Sequence, residues 1–190
     1  MTTEGLTVAV TGPTGSIGKA FVRALEAEPA VERIRGMARR SIDPAEHGWS
    51  KIEYLQGDIL DRDAVNELVE GADVVVHLAF LIFGPREETL NINLQGSSNV
   101  FAAALDAGAD RLVYTSSVAA YGFHDDNPVP LHEDVPVRGT DDHYYSQQKA
   151  ELEATLTRFA SGRDTDVYVF RPCIVAGPSA LDVIDKIPYV

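Results

Sequence analysis

Tyr145 and Lys149, four residues apart in the run YYSQQK, are the side chains of this sequence best equipped for chemistry. On a helix that spacing puts both on one face. A phenol beside an ammonium can take a proton from, or return one to, a hydroxyl-bearing carbon. Ser117, in TSSVAAYG after an apolar run, is placed to hold a substrate oxygen and share its proton. Its neighbour Ser116 points to the other side if the strand persists. Tyr144 is the alternative phenol, but Lys149 lies five residues from it, a poorer facing.

Far upstream, TGPTGSIG at Thr11 to Gly18 follows a β-branched run and opens a helical pattern. In that context Gly12 permits a tight turn, Gly15 lets the backbone approach a pyrophosphate, and Gly18 allows close helix packing. Free N–H groups at the helix start then face the phosphates. The spacing is GxxGxxG rather than GxGxxG, and no GK[ST] ends it, so it is not a Walker loop. The turn implies a dinucleotide, NADP or NAD, and with it hydride transfer. Tyr145, with an ordinary pKa near ~10, is a poor base by itself at neutral pH. The Lys149 ammonium and an oxidised nicotinamide are both expected to favour its phenolate.

The end of the second strand reads MARR. An acid there usually holds the ribose 2′-OH of NAD, whereas this chain has Arg39 and Arg40, and a guanidinium suits a 2′-phosphate. NADP is therefore favoured over NAD. Asp58 closes the third strand, where it can accept from an adenine amino group or cap a helix beginning near Leu60. His77, ending DVVVHL, reads as a packed, hydrogen-bonded residue rather than a catalytic one.

These residues need a scaffold of alternating strands and helices. Strands are expected at Leu6–Thr11, Ile34–Ala38, Ile52–Gln56, Asp73–Leu78, Arg111–Thr115 and Val167–Phe170. Helices are expected at Ser16–Ala27, Asp61–Val69, Glu87–Ala107 (stopped by Gly108) and Tyr144–Phe159. A polar, proline-rich connection spans Gly122 to Asp142. Near-continuous apolar strands between helices mean an α/β fold: a doubly wound parallel sheet with helices on both faces.

The 190 residues, 45% of them hydrophobic, suit one domain with a real core. A net charge of -13 argues against nucleic acid or an anionic membrane as partner. Cys173 is the only cysteine, which excludes an internal disulfide and a cysteine metal cluster, and the five histidines lack ligand spacing. No metal is expected. The N-terminus has no signal-peptide pattern and no apolar stretch spans a bilayer, so a cytoplasmic setting is expected.

Taken together, TGPTGSIG, QGDILD, VVVHLA, NLQGSSNVFAAA, RLVYTSSVAAYG, HEDVPV, YSQQK and FRPCIVAGP resemble the extended short-chain dehydrogenase/reductase superfamily, specifically its NAD-dependent epimerase/dehydratase family. The resemblance implies a Rossmann-type domain over residues 1–190, with the C-terminal substrate domain largely absent. It implies that Gly12, Gly15, Ser16, Ile17 and Gly18 serve the pyrophosphate, Arg39 the adenosine ribose or its phosphate, and Asp58 and Ile59 the adenine. Leu78, Ala79 and Phe80 would lie along the cofactor and Asn93 near its nicotinamide half. Ser117, Tyr145 and Lys149 would form a triad, the last two also touching the cofactor, and Pro172 and Ile174 would position the nicotinamide. Phe80 departs from the family pattern, which has a small residue there, and is expected to narrow the site. The activity implied is NAD(P)-dependent oxidoreduction, or epimerisation or dehydration through transient oxidation, on a small-molecule substrate. A dinucleotide-binding regulatory protein would dispense with Tyr145 or Lys149, and both are present; a cofactor-binding fragment without activity stays open. Uncovered apolar surface would favour self-association as a homodimer.

Overall fold

The computed structural model describes residues 5–175. Six parallel strands form one sheet: β1 (Leu6–Thr11), β2 (Val31–Ala38), β3 (Ile52–Gln56), β4 (Val74–His77), β5 (Arg111–Thr115) and β6 (Asp166–Phe170). Their spatial order is β3-β2-β1-β4-β5-β6. The order reverses between β1 and β4, the switch point at which ligands bind beyond the strand carboxyl ends. Register across that point pairs Val8 with Val74 and Thr11 with His77.

Alternation along the strands feeds two apolar layers. One face carries α2 (Arg62–Val69), α4 (Ser97–Asp106) and α5 (Tyr144–Ala160). There Val65, Leu68, Phe101, Leu152 and Leu156 pack on Ala9, Val75, Leu112 and Tyr114. The other face carries α1 (Ser16–Ala27), whose Val22 meets Val8, Val10, Ile34 and Val76, with Trp49 beside them. Helices thus lie on both faces, but unequally. On the α1 side β5 and β6 present Val113, Tyr168 and Phe170, the last 59% exposed.

Local departures from the sequence expectation have physical causes. β2 starts at Val31, because Leu6 pairs with Val31 and extends the ladder past the charged Glu32 and Arg33. The long helix expected at Glu87–Ala107 is three pieces: α3 (Arg86–Leu90), a π-helical turn (Asn91–Gly96) and α4. A π-turn widens the helix by one residue per hydrogen-bonded ring and often marks a functional region. Here Gly96 sits in it, where an added Cβ would meet the Ile59 side chain at 2.6 Å. Gly108, as expected, ends the run at positive φ.

Among the described residues no helix is long and apolar enough to cross a membrane, and no group of three or more ligating side chains could hold a metal ion.

Candidate active site

The strand carboxyl ends open into a cleft of about 500 Å³. Its lining contains eight of the expected cofactor residues: Gly12, Gly15, Arg39, Asp58, Ile59, Leu78, Ala79 and Phe80. Met37, Arg40, Leu81 and Ile92 complete much of the wall, and the sequence reading did not single out Met37, Leu81 or Ile92.

The glycine turn shows why this lining is open. Gly12 has φ +72, a conformation that favours glycine, and a Cβ there would reach Ala79 backbone atoms at 3.0 Å. Gly18 is closed differently: its added Cβ would collide with the Gly12 carbonyl oxygen and the Pro13 backbone. The third glycine therefore lets α1 close on the turn itself and stays buried behind it. Gly15 precedes α1, and no side chain caps that helix start. By contrast, Asp61 caps α2 through Asp63 and Ala64 N–H groups. The uncapped donors at Ser16, Ile17 and Gly18 and the open side of Gly15 fit a pyrophosphate. Ser16 and Ile17 do not line the cleft with their side chains, and Ile17 is exposed.

Asp58 lines the cleft while its Oδ1 accepts from Leu60 N at 3.0 Å. The helix-capping alternative is thereby corrected, since α2 begins later and Asp61 is its cap. Arg39 and Arg40 border the same end. Their backbones are held by Gln56, whose Nε2 donates to Arg39 O, and by Tyr54, whose hydroxyl donates to Arg40 O.

The floor between β1 and β4 is a proton-ordered chain. Thr11 Oγ1 accepts from Leu78 N and Ala79 N, both at 3.2 Å. Its own hydroxyl proton is then free to go to His77 Nδ1, 2.7 Å away. That leaves His77 Nε2–H to donate to Ser97 Oγ at 2.8 Å. Burial first, and the Lys149 charge second, push His77 down to about 3. It is a neutral, packed residue, as expected from its place at a strand end.

At the other end of the cleft Phe80 joins the two regions. Its ring meets the Tyr145 ring edge-on at 5.5 Å and lies 3.7 Å from Lys149 Nζ. The narrowing expected of Phe80 takes the form of a cover over the ammonium. Lys149 is 2% exposed and donates to Thr115 O at 2.8 Å and Tyr114 Oη at 3.3 Å. Burial pulls its pKa down to about 7, with the Glu153 carboxylate pulling the other way. Burial likewise raises the Tyr145 hydroxyl above its ordinary value, and hydrogen bonding by Ser117 opposes the rise. In this arrangement the ammonium is directed to Thr115 O and Tyr114 Oη, and desolvation leads at the phenol.

Ser117 stands beside Tyr145 and caps the short turn Val118–Tyr121 by accepting from Ala119 N. Tyr144 points elsewhere, its hydroxyl donating to Ile82 O at 2.6 Å. Asn93 is fully buried in the π-turn. Its Oδ1 accepts from Leu81 N, and its Nδ2 donates to Leu81 O and to Gln148 Oε1. Those bonds use both amide hydrogens, and through them Asn93 holds the Leu81 segment that lines the cleft. Pro172 O accepts from Val118 N, which brings it beside Ser117, whereas Ile174 is 61% exposed and does not line the cleft.

Two residues behind the site went unremarked in the sequence. Glu153 accepts from Ser116 Oγ and from Arg171 Nε and Nη2, the last at 2.7 Å. Arg171 Nη1 also donates to Tyr121 Oη and to Glu133 O. The pair ties α5 to the ends of β5 and β6. A further step of four from Lys149 reaches Glu153, so the same helical spacing carried the signal.

A model of the NAD dependent epimerase/dehydratase family matches residues 8–190. Sterol demethylase protein B of Methylococcus capsulatus is 33% identical over 178 residues, 91% of this chain and 52% of that protein. The 3 beta-hydroxysteroid dehydrogenase/Delta 5-->4-isomerase of Vaccinia virus is 33% identical over 157 residues, 79% of this chain and 45% of that protein. The chain thus spans about half the length of these curated relatives. Among solved structures, the Bordetella bronchiseptica enzyme WbmH in complex with NAD+ aligns with a TM-score of 0.75 at 27% identity, covering 93% of this chain and 59% of that one.

Proposed function

The chain belongs to the NAD dependent epimerase/dehydratase family, and from that premise we propose that it binds NAD(P) along the cleft and supports hydride transfer at a substrate carbinol, with Tyr145 as the acid–base. The observation that carries this reading is the convergence of Tyr145, Ser117 and Lys149 at the end of the cleft that begins at the uncapped glycine turn. When bound, the nicotinamide supplies the hydride acceptor or donor.

Tyr145, whose ordinary pKa is already near ~10 and is raised further by burial, is at neutral pH in the form that donates a proton to a carbonyl oxygen. In the oxidative direction it must take the carbinol O–H proton as the C–H pair leaves as hydride and the carbonyl forms. Positive charge nearby favours that phenolate, and Lys149 is the residue to supply it. Ser117 orients the substrate oxygen. Glu153 and Arg171 position the Ser116–Ser117 and Arg171–Pro172 segments without touching the reaction.

The arginine pair favours a 2′-phosphate, so NADP is the preferred form in this reading. Whether a free carbonyl, an epimer or a dehydrated product leaves depends on the substrate. The remaining substrate contacts are assigned to a C-terminal region beyond this dinucleotide-binding domain.

The test is Tyr145→Phe in the longest active form of the protein. Turnover is expected to fall by about 10²–10⁴-fold, the usual worth of a positioned acid–base group, with dinucleotide affinity little changed. Retained turnover removes Tyr145 from the role, and no binding of either NADH or NADPH removes the cofactor.

A further inference from the structure

We propose that the wall this chain presents on the substrate side of Tyr145 selects an uncharged, apolar-bodied alcohol or ketone and rejects a nucleoside-diphosphate-linked one; this rests on the hydride-transfer reading. Three segments meet around the Tyr145 ring at the strand carboxyl ends. The first follows β4 and runs through Phe80 to Gly84. Asn93 clamps it through Leu81, and the Tyr144 hydroxyl holds it at Ile82 O. It leaves Ile82 39% and Phe83 48% exposed. The second follows β5, where Val118, next to Ser117, is 39% exposed. The third is the connection into α5. Phe123 is 64% exposed there, with its ring 5.1 Å from that of His143 and its N–H donating to Thr140 Oγ1. His143 in turn lies 6.4 Å from the Tyr145 ring.

These exposed apolar side chains stand on backbone fixed by specific hydrogen bonds, and they flank the group that would exchange a proton with substrate. A contiguous exposed apolar patch rimmed by polar residues marks a binding surface. The rim sets its charge. The connection from Gly122 to His143 contains six carboxylates and one arginine. Asp125, Asp126, Asp141 and Asp142 are all exposed. The lone cation, Arg138, donates to both oxygens of Asp126 and is neutralised there. The field at this mouth is therefore negative, opposite to the Arg39–Arg40 end, where the cofactor's own phosphates are expected. Fields focused in a cleft of one sign steer oppositely charged ligands in and like charges away. On the Gly122–His143 connection a pyrophosphate-bearing substrate would meet six carboxylates and an arginine already paired with Asp126. A fused alicyclic body with one hydroxyl or carbonyl would cover the exposed rings and bring its oxygen to Tyr145 and Ser117.

The test uses proton NMR of the purified chain, run with and without saturating NADP+. The probes are 2-decalol, which is two fused saturated rings bearing one hydroxyl, and UDP-glucose. Decalol is expected to shift the ring signals of Phe80, Phe123 and Tyr145 in both runs, and UDP-glucose to leave those of Phe123 and Tyr145 unmoved. Ring signals that decalol leaves unmoved in both runs overturn the proposal, as do equal shifts with UDP-glucose. Failure of NADP+ and NAD+ to bind, with decalol shifts intact, instead overturns the hydride-transfer reading. A double charge reversal, Asp141→Lys with Asp142→Lys, is expected to raise UDP-glucose affinity by about tenfold at low salt, an effect that fades as salt screens it. Unchanged affinity overturns the role given to the carboxylates.

Discussion

The adenosine end of the cleft and its Tyr145 end are built by different means. At the first, backbone and small side chains close together in sequence do the work. Gly12 turns, Gly18 admits the Pro13 backbone, and the N–H groups opening α1 are left without a cap. At the second, buried polar side chains are brought from far apart: Asn93 to Gln148, Lys149 to Thr115, Glu153 to Ser116 and Arg171. The first end draws on β1, α1, β2 and the turn after β3. The second requires β4, β5, β6 and α5 together. Cofactor affinity and catalytic posture should therefore respond to different substitutions.

The largest expected separation comes from Glu153→Ala. Removing one partner of a buried pair leaves the other uncompensated and costs about 3–5 kcal/mol, here at side chains only 6% and 21% exposed for Glu153 and Arg171. Chemical denaturation should show that loss, and turnover should fall further than stability alone explains. NADPH affinity, measured below the unfolding transition, should stay within a few-fold. An equal collapse of affinity would erase the distinction between the two ends.

Gly18→Ala attacks the other end. A Cβ against the Gly12 carbonyl and Pro13 must displace backbone, an overpacking cost of about 1–3 kcal/mol. It should weaken dinucleotide binding while leaving the Lys149 environment unchanged. Arg39→Ala is smaller still. It should lower the NADPH-over-NADH preference by about tenfold, or 1.4 kcal/mol, with NADH affinity unaffected. An unchanged preference would take Arg39 away from the ribose.

The last effect is a slope. Burial holds Lys149 at about 7, below its ordinary value near ~10.4. Between those values the unfolded chain binds more protons, so the contribution of Lys149 to stability rises with pH and its penalty is complete below about pH 7. Lys149→Met should flatten the stability profile between about pH 7 and 9, read as the denaturant midpoint at each pH. A profile that keeps its slope would mean that Lys149 is better solvated than its contacts with Phe80 and Tyr114 imply.

The same contrast explains what could be read from the chain. The strand–helix alternation, the glycine turn and the four-residue step from Tyr145 to Lys149 are local patterns with a fixed period, and the sheet follows them to within a few residues. Nothing in the sequence around Asn93 reveals that Leu81 and Gln148 use its amide. The π-turn was missed because residues 86–106 carry ordinary helical spacing, and the widening appears only where Gly96 accommodates Ile59. The burial of Tyr145 was not legible because a sequence shows a nearby lysine but not the desolvation that accompanies it. Glu153 was within reach, one more step along the same helical face.

The chain from Thr11 through His77 to Ser97 has a spectroscopic consequence. A neutral imidazole whose Nε2–H is shielded from solvent and hydrogen-bonded should give a slowly exchanging, downfield proton line of its own. Because burial keeps His77 neutral down to about pH 3, that line should survive mild acid. It should vanish only when β1 and β4 part, which makes it a built-in gauge of whether the floor of the cleft is assembled.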